Sequence, residues 1–219
     1  GSKGIPLKNI KLLNGIPLIA YTIKSALGAN IDRIVVSTDS EAIAEVAVDY
    51  GAEVIIRPHE LALDDSPTLP VIQHVVKVIN NQDQYKPDTI LLLQPTSPFR
   101  ESKHIFEALT TFFEGNADSL VSVIKVPHNF NPFAVMSLAK DGYLVPYQDY
   151  DERKNIRQLK PIFYARNGAA IYICTYDCLM KKNSLYGDKI LPYEMDRSAS
   201  VDIDDEWDWK LAELMLSHN

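Results

Sequence analysis

Two scarcities narrow the field before any motif is considered. The chain has two cysteines, Cys174 and Cys178, four positions apart. A structural zinc site needs four ligands, and no second pair or His cluster completes this one. Thiols kept reduced are expected, and with them a cytoplasmic setting. Basic residues are also short: Lys and Arg number 22 against 29 Asp and Glu, a net charge of −7. That balance argues against wrapping nucleic acid, because phosphate neutralisation demands a basic surface. A small anion held by a few local cations stays compatible. No apolar run approaches the roughly 18 residues a membrane-spanning helix requires. No leader is recognisable ahead of the fold, though the chain opens inside a motif. Internal repeats, low-complexity tracts and Gly/Ser linkers are all missing, so one domain over 1–219 is expected.

What is present is a core-forming chain of 219 residues, 46% hydrophobic and 23% charged, enough to bury one sizeable α/β core. Helical spacing runs over 17–27, with Ile19, Ile23, Ala26 and Leu27 able to share a face. Residues 32–38 read as a short buried strand ending in polar residues. Ser40 then caps a helix that Gly51 stops. Strands are predicted at 53–56, 89–93 and 119–126, and helices at 68–80 and from Ser102. Alternation of buried strands with amphipathic helices predicts a Rossmann-like α/β fold, a mostly parallel sheet flanked by helices. Ligands in such sheets gather beyond the carboxyl ends of the strands. The stretch 127–166, rich in Pro, Asn, Tyr and charge, breaks the rhythm. A loop of that length in a compact domain has a function or a partner, and its aromatics favour a protruding arm that meets a second subunit.

Three segments carry chemistry. In GSKGIPLKN, the two glycines let backbone N–H groups approach a phosphate and Lys3 and Lys8 supply point charges. The spacing is not that of a Walker loop, and the same composition also suits an exposed terminus. In SVDIDDE, Val201 and Ile203 alternate with Asp202 and Asp204, so a strand would project both carboxylates to one side, roughly 6.5 Å apart. One hydrated Mg²⁺ suits that pair, since it binds one or two carboxylates plus phosphates and keeps several waters. The alternative is a solvated strand end with Asp204 or Asp205 capping the helix that follows. In LLLQPTSPFR, a leucine strand enters a doubly prolined turn that holds Gln94 at the sheet edge. An amide there can bond sugar hydroxyls, although a plain turn would look the same.

Taken in order, GSKGIPLKN, DRIVVSTDSEAIAEVA, RPHELALDDSPT, LLQPTSPFR, ARNGAAIYI and SVDIDDEWD resemble the successive motifs of the acylneuraminate cytidylyltransferases, over essentially the whole chain. Sialate-type and legionaminate-type members are matched about equally. The resemblance implies CMP transfer from CTP to the anomeric hydroxyl of a nonulosonic acid with release of pyrophosphate, in glycan biosynthesis, by a homodimer with a shared active site. It implies CTP contacts from Ser2, Lys3, Lys8 and Asn9, cytosine recognition by Arg57 with Ser66 and Thr68, and Mg²⁺ on Asp202 and Asp204. Lys3 and Lys8 would stabilise the departing pyrophosphate, and the proton acceptor, whether Asp202 or metal-bound hydroxide, is left open. For the sugar it implies Gln94, Arg157 from the neighbouring subunit, and an apolar wall of Tyr172, Leu185 and Tyr186. The family's motif starts earlier, with an apolar strand and an Arg ahead of GSKG, and the sequence is expected to be truncated before Gly1. The chain departs from the pattern where one extra alanine in RNGAAIY leaves either Arg166 or Asn167 as the sugar-facing residue. Transfer to an eight-carbon acid, and a homologue that binds nucleotide without catalysis, are the alternatives.

Overall fold

The computed structural model describes residues 4–63, 65–147 and 161–217. The chain enters through a one-turn helix, Lys8–Ile10, and a tight hairpin of β1 (Leu12–Leu13) and β2 (Ile16–Pro17). Asn14 and Gly15 form the hairpin turn, both with positive φ, the pairing that matches strand twist. Helix α1 (Leu18–Leu27) buries the apolar face that its spacing announces. β3 (Val35–Thr38) and β4 (Glu53–Ile56) pair in parallel, and α2 (Glu41–Asp49) crosses between them. Ser40 caps α2 by accepting from the Ile43 amide.

The main sheet uses β5 (Thr89–Leu92), β6 (Ser119–Lys125), β9 (Tyr164–Arg166), β10 (Tyr172–Thr175) and β11 (Ile190–Glu194), in the order β11-β6-β10-β5 with β9 extending along β6. The expected α/β fold with a sheet flanked by helices is the one observed, and β5, β6 and β11 share one direction. β6 and β11 are parallel, but β10 lies antiparallel between β5 and β6. Alternation of side chains sorts β10 onto two faces. Ile171 and Ile173 face α4 (Ser102–Glu114) with Ile105, Ala108 and Phe112. Cys174 faces the other way, against Val76 of α3 (Thr68–Asp83) and Cys178 and Leu179 of α5 (Tyr176–Met180). Both cysteines are free and buried. The last helix, α6 (Glu206–Ser217), packs Trp209 and Ala212 on Ile5, Leu13, Leu18 and Ile203, which brings the two ends of the chain together.

Within 127–147 and 161–166 lies a hairpin of β7 (Met136–Leu138) and β8 (Leu144–Pro146), closed at Gly142. β9, at the far end of that stretch, belongs to the main sheet. Leu138, Tyr143, Leu144 and Tyr147 on the hairpin, and Phe130, Ile162 and Tyr164 beside it, are exposed.

Candidate active site

At the carboxyl end of β5 the chain opens a cavity of about 590 Å³. Leu92 and Gln94 come from β5 and the turn after it, Thr68 and Leu69 from the start of α3, and Leu185 and Tyr186 from the segment after α5. Arg166, at the end of β9, and the Gly168–Ala169 turn complete it. The Gln94 amide donates to the Ala169 carbonyl at 3.1 Å, which fixes turn and strand end to each other. The Arg166 guanidinium donates to the Tyr186 hydroxyl and sits 5.6 Å from that ring's centroid. Tyr172 meets Tyr186 edge-on at 5.9 Å, and burial pushes its phenol up to about 12. The surface therefore mixes apolar side chains with one cation and a few hydroxyls and amides, a composition suited to an anion that carries an apolar substituent.

Of the two alternatives left by the extra alanine, Arg166 lines the cavity and Asn167 does not. Asn167 is turned into the core, where it accepts from Ser122 Oγ at 2.6 Å and donates to Ser200 Oγ at 2.9 Å. Neighbours on a strand face opposite ways, so one extra residue exchanges their environments.

A carboxylate locus adjoins the cavity. Asp202 presses against Gly168 so closely that a Cβ there would stand 2.0 Å from Asp202 Oδ2, and Gly168 itself has φ of +72°. Burial, and then the neighbouring Asp204, raise the proton affinity of Asp202, while Thr96 and Lys8 oppose them. Thr96 favours the charged form without closing a well-formed hydrogen bond, and Asp202 Oδ1 has no partner among the described residues. Residues 201–204 join no sheet ladder, contrary to the predicted strand. Their fixed point is the Ile203 amide, which donates to Thr96 O at 2.9 Å. Asp205, not Asp204, caps α6 by accepting from the Trp207 and Asp208 amides. Asp204 is thus exposed with its carboxylate outside the cap.

Lys8 reaches the same place from the other end of the chain, donating from Nζ to Ile203 O at 2.6 Å, while Asn9 lies half-buried on the Lys8–Ile10 turn. Gly4 packs on the Asp204 carbonyl, 2.7 Å from where a Cβ would stand. Ser2, Lys3 and Arg157 lie outside the described residues. Arg57 sits at the carboxyl end of β4 and donates to the Ser37 carbonyl at 2.6 Å. Ser66 donates weakly to Glu60 O. Neither lines the cavity, whereas Thr68 does. Thr96, Gly168 and Arg100 were not singled out from the sequence. The signal for two of them was their place in the QPTSPFR turn beside Gln94.

No three His, Cys, Asp or Glu side chains cluster as a closed metal site among the described residues. Two carboxylates with an unpartnered oxygen fit an open site instead, one that a hydrated cation would share with phosphate.

A sheet with helices on both faces, and polar groups gathered beyond its strand ends, defines a Rossmann-like α/β fold. A solved structure of CMP:2-keto-3-deoxy-manno-octonic acid synthetase complexed with CTP shares this fold, with a TM-score of 0.70 at 15% identity, covering 100% of this chain and 95% of that one. The chain belongs to the cytidylyltransferase family, whose model matches residues 1–204. It is 38% identical to the CMP-N,N′-diacetyllegionaminic acid synthase of Legionella pneumophila over 100% of this chain and 93% of that protein. It is 34% identical to the N-acylneuraminate cytidylyltransferase of an Escherichia coli strain, over 97% of this chain and 49% of that protein. The chain thus spans about half the length of the latter relative.

Proposed function

We propose that the chain transfers CMP from CTP to the anomeric hydroxyl of a nonulosonic acid, of the N-acylneuraminate or legionaminate type, and releases pyrophosphate. The observation that carries this reading is the contact of Asp202 with Gly168, which joins a phosphate-side carboxylate to a sugar-sized cavity. The anomeric oxygen attacks the α-phosphorus, the bond from that phosphorus to the bridging oxygen breaks, and the hydroxyl proton leaves to water. Lys8, with Lys3 of the same loop, stabilises charge on the departing pyrophosphate. Asp202 and Asp204 are the residues that would hold Mg²⁺, which when bound offsets charge on the phosphate oxygens. In the cavity, Arg166 pairs with the acid, Gln94 bonds hydroxyls, and Leu185 with the rings of Tyr172 and Tyr186 packs the acyl group. Arg57, Ser66 and Thr68 take the cytosine side, and Ser2 and Asn9 the triphosphate.

The exposed apolar residues of the β7–β8 hairpin and its flanks support a homodimer, with Arg157 reaching the neighbour's sugar site. Light scattering reads the molar mass directly. No described helix is long and apolar enough to cross a membrane. The free, buried cysteines and the need for CTP support a cytoplasmic enzyme.

Pyrophosphate release from CTP, Mg²⁺ and a panel of acids tests the reading. N-acetylneuraminate or N,N′-diacetyllegionaminate should drive release. Preference for an eight-carbon acid, or CTP binding without release, would replace the reading with one of its rivals.

A further inference from the structure

Arg100 ends the QPTSPFR turn, and 1% of it reaches solvent, the lowest exposure of any charged residue among the described residues. Its partners are neutral. Nη1 donates to the Gln94 carbonyl at 3.1 Å and to the Ala170 carbonyl at 2.8 Å, and Nη2 donates to Thr22 Oγ1 at 2.6 Å. Nε has no acceptor among the described residues. Burial alone lowers its pKa to about 9, and no carboxylate counters that effect.

A buried charge without a counter-charge is costly, and an apolar side chain of similar volume is often as stable or more so. Stability alone therefore does not account for a guanidinium here. Its geometry does. The last ladder pair of β5 and β10 is Leu92 with Tyr172. Beyond it the two backbones separate, and the Gln94 amide to Ala169 carbonyl bond continues the join. Nη1 of Arg100 holds one carbonyl of each chain segment, while Nη2 anchors the guanidinium on Thr22. Gln94 and the Gly168–Ala169 turn line the cavity. A lysine would keep the charge but not the planar fork.

We propose that Arg100 is a positioning residue for the acceptor side of the cavity: its guanidinium, clamping the Gln94 and Ala170 carbonyls, sets how Gln94 and the Gly168–Ala169 turn meet the acid sugar. This rests on the reading of the cavity as the acceptor site. Thr22, held by the same guanidinium, ties the clamp to α1.

The test is steady-state kinetics of Arg100→Lys and Arg100→Met, with folded fraction and melting temperature measured alongside. N-acetylneuraminate or N,N′-diacetyllegionaminate serves as acceptor, whichever the unaltered chain uses. KM for the acid should rise about tenfold or more in both variants, with KM for CTP changing less than about threefold. If Arg100→Met does not fold, Arg100→Lys decides. A purely structural role would reduce kcat through loss of active protein and leave both KM values alone. That result, or an unchanged acid KM in Arg100→Lys, overturns the proposal. No turnover by the unaltered chain with any acid counts against the proposed activity and the clamp together, whereas normal turnover with unaltered variant KM values counts against the clamp alone.

Discussion

Lys8 Nζ donates a 2.6 Å hydrogen bond to the carbonyl of Ile203, a residue 195 positions away. The bond sits over the cluster of Ile5, Leu13, Leu18, Ile203, Trp209 and Ala212, so an apolar core sets the spacing of the charged groups above it. A cation fixed beside Asp202 in this way is preorganised rather than recruited on binding. Lys8→Met should lower kcat about 100-fold. It should also reduce unfolding free energy by about 1.5–3 kcal/mol, the usual worth of a hydrogen bond to a charged donor. Pyrophosphate release and urea titration measure the two effects.

Gly168→Ala is expected to fail twice over. Its φ of +72° strains any side chain, at about 1–2 kcal/mol. Its Cβ would also stand 2.0 Å from Asp202 Oδ2, so the carboxylate must move. Activity should fall at least tenfold while the protein remains folded by circular dichroism.

Arg166 and Asn167 should separate cleanly. Arg166→Ala removes an exposed cation from the cavity wall and should raise KM for the acid with little effect on melting. Asn167→Ala removes one partner each from the buried Ser122 and the half-buried Ser200 and should destabilise by about 1–3 kcal/mol. Differential scanning calorimetry and acceptor kinetics on the two variants check the contrast. Equal KM effects with equal stabilities would refute the assignment of faces.

The sequence read well where physics is local. β4 occupies 53–56 as predicted, Ser40 caps α2, and α3 begins at Thr68, because burial, capping and turn chemistry act within a few residues. It read poorly where a partner decides. Nothing in residues 172–175 announces that β10 inserts antiparallel between β5 and β6. The alternation in 201–204 is real, but its partner is a single carbonyl of Thr96 rather than a strand. At Arg166 and Asn167 the pattern shows that the two face opposite ways and not which faces the cavity. Arg100 carries no mark of its own in the sequence, since only the fold brings Thr22 and Ala170 around it.

His104 gives the fold a pH dependence. It accepts from the Glu101 amide at 3.0 Å to close the capping box of α4, which requires the neutral ring. Burial, then Lys103, lower its pKa from 6.5, against Glu101, Glu107 and Asp196, which raise it. With the folded pKa depressed, the unfolded chain binds more protons in the window below 6.5. The contribution of His104 is therefore complete above that value and drains away as pH falls through the folded pKa. Urea midpoints should drop between pH 7.5 and 5, and the drop should be smaller in His104→Gln. Identical slopes would contradict this.

The central claim is that Asp202 serves CMP transfer to an acid sugar at the cavity it adjoins. Phosphorus NMR of CTP, Mg²⁺ and N-acetylneuraminate or N,N′-diacetyllegionaminate follows that chemistry bond by bond. The unaltered chain should convert CTP into pyrophosphate and one new phosphodiester resonance in equal amounts, and a folded Asp202→Asn variant should leave CTP intact. Near-normal conversion by Asp202→Asn, or release of inorganic phosphate in place of pyrophosphate, would contradict the account.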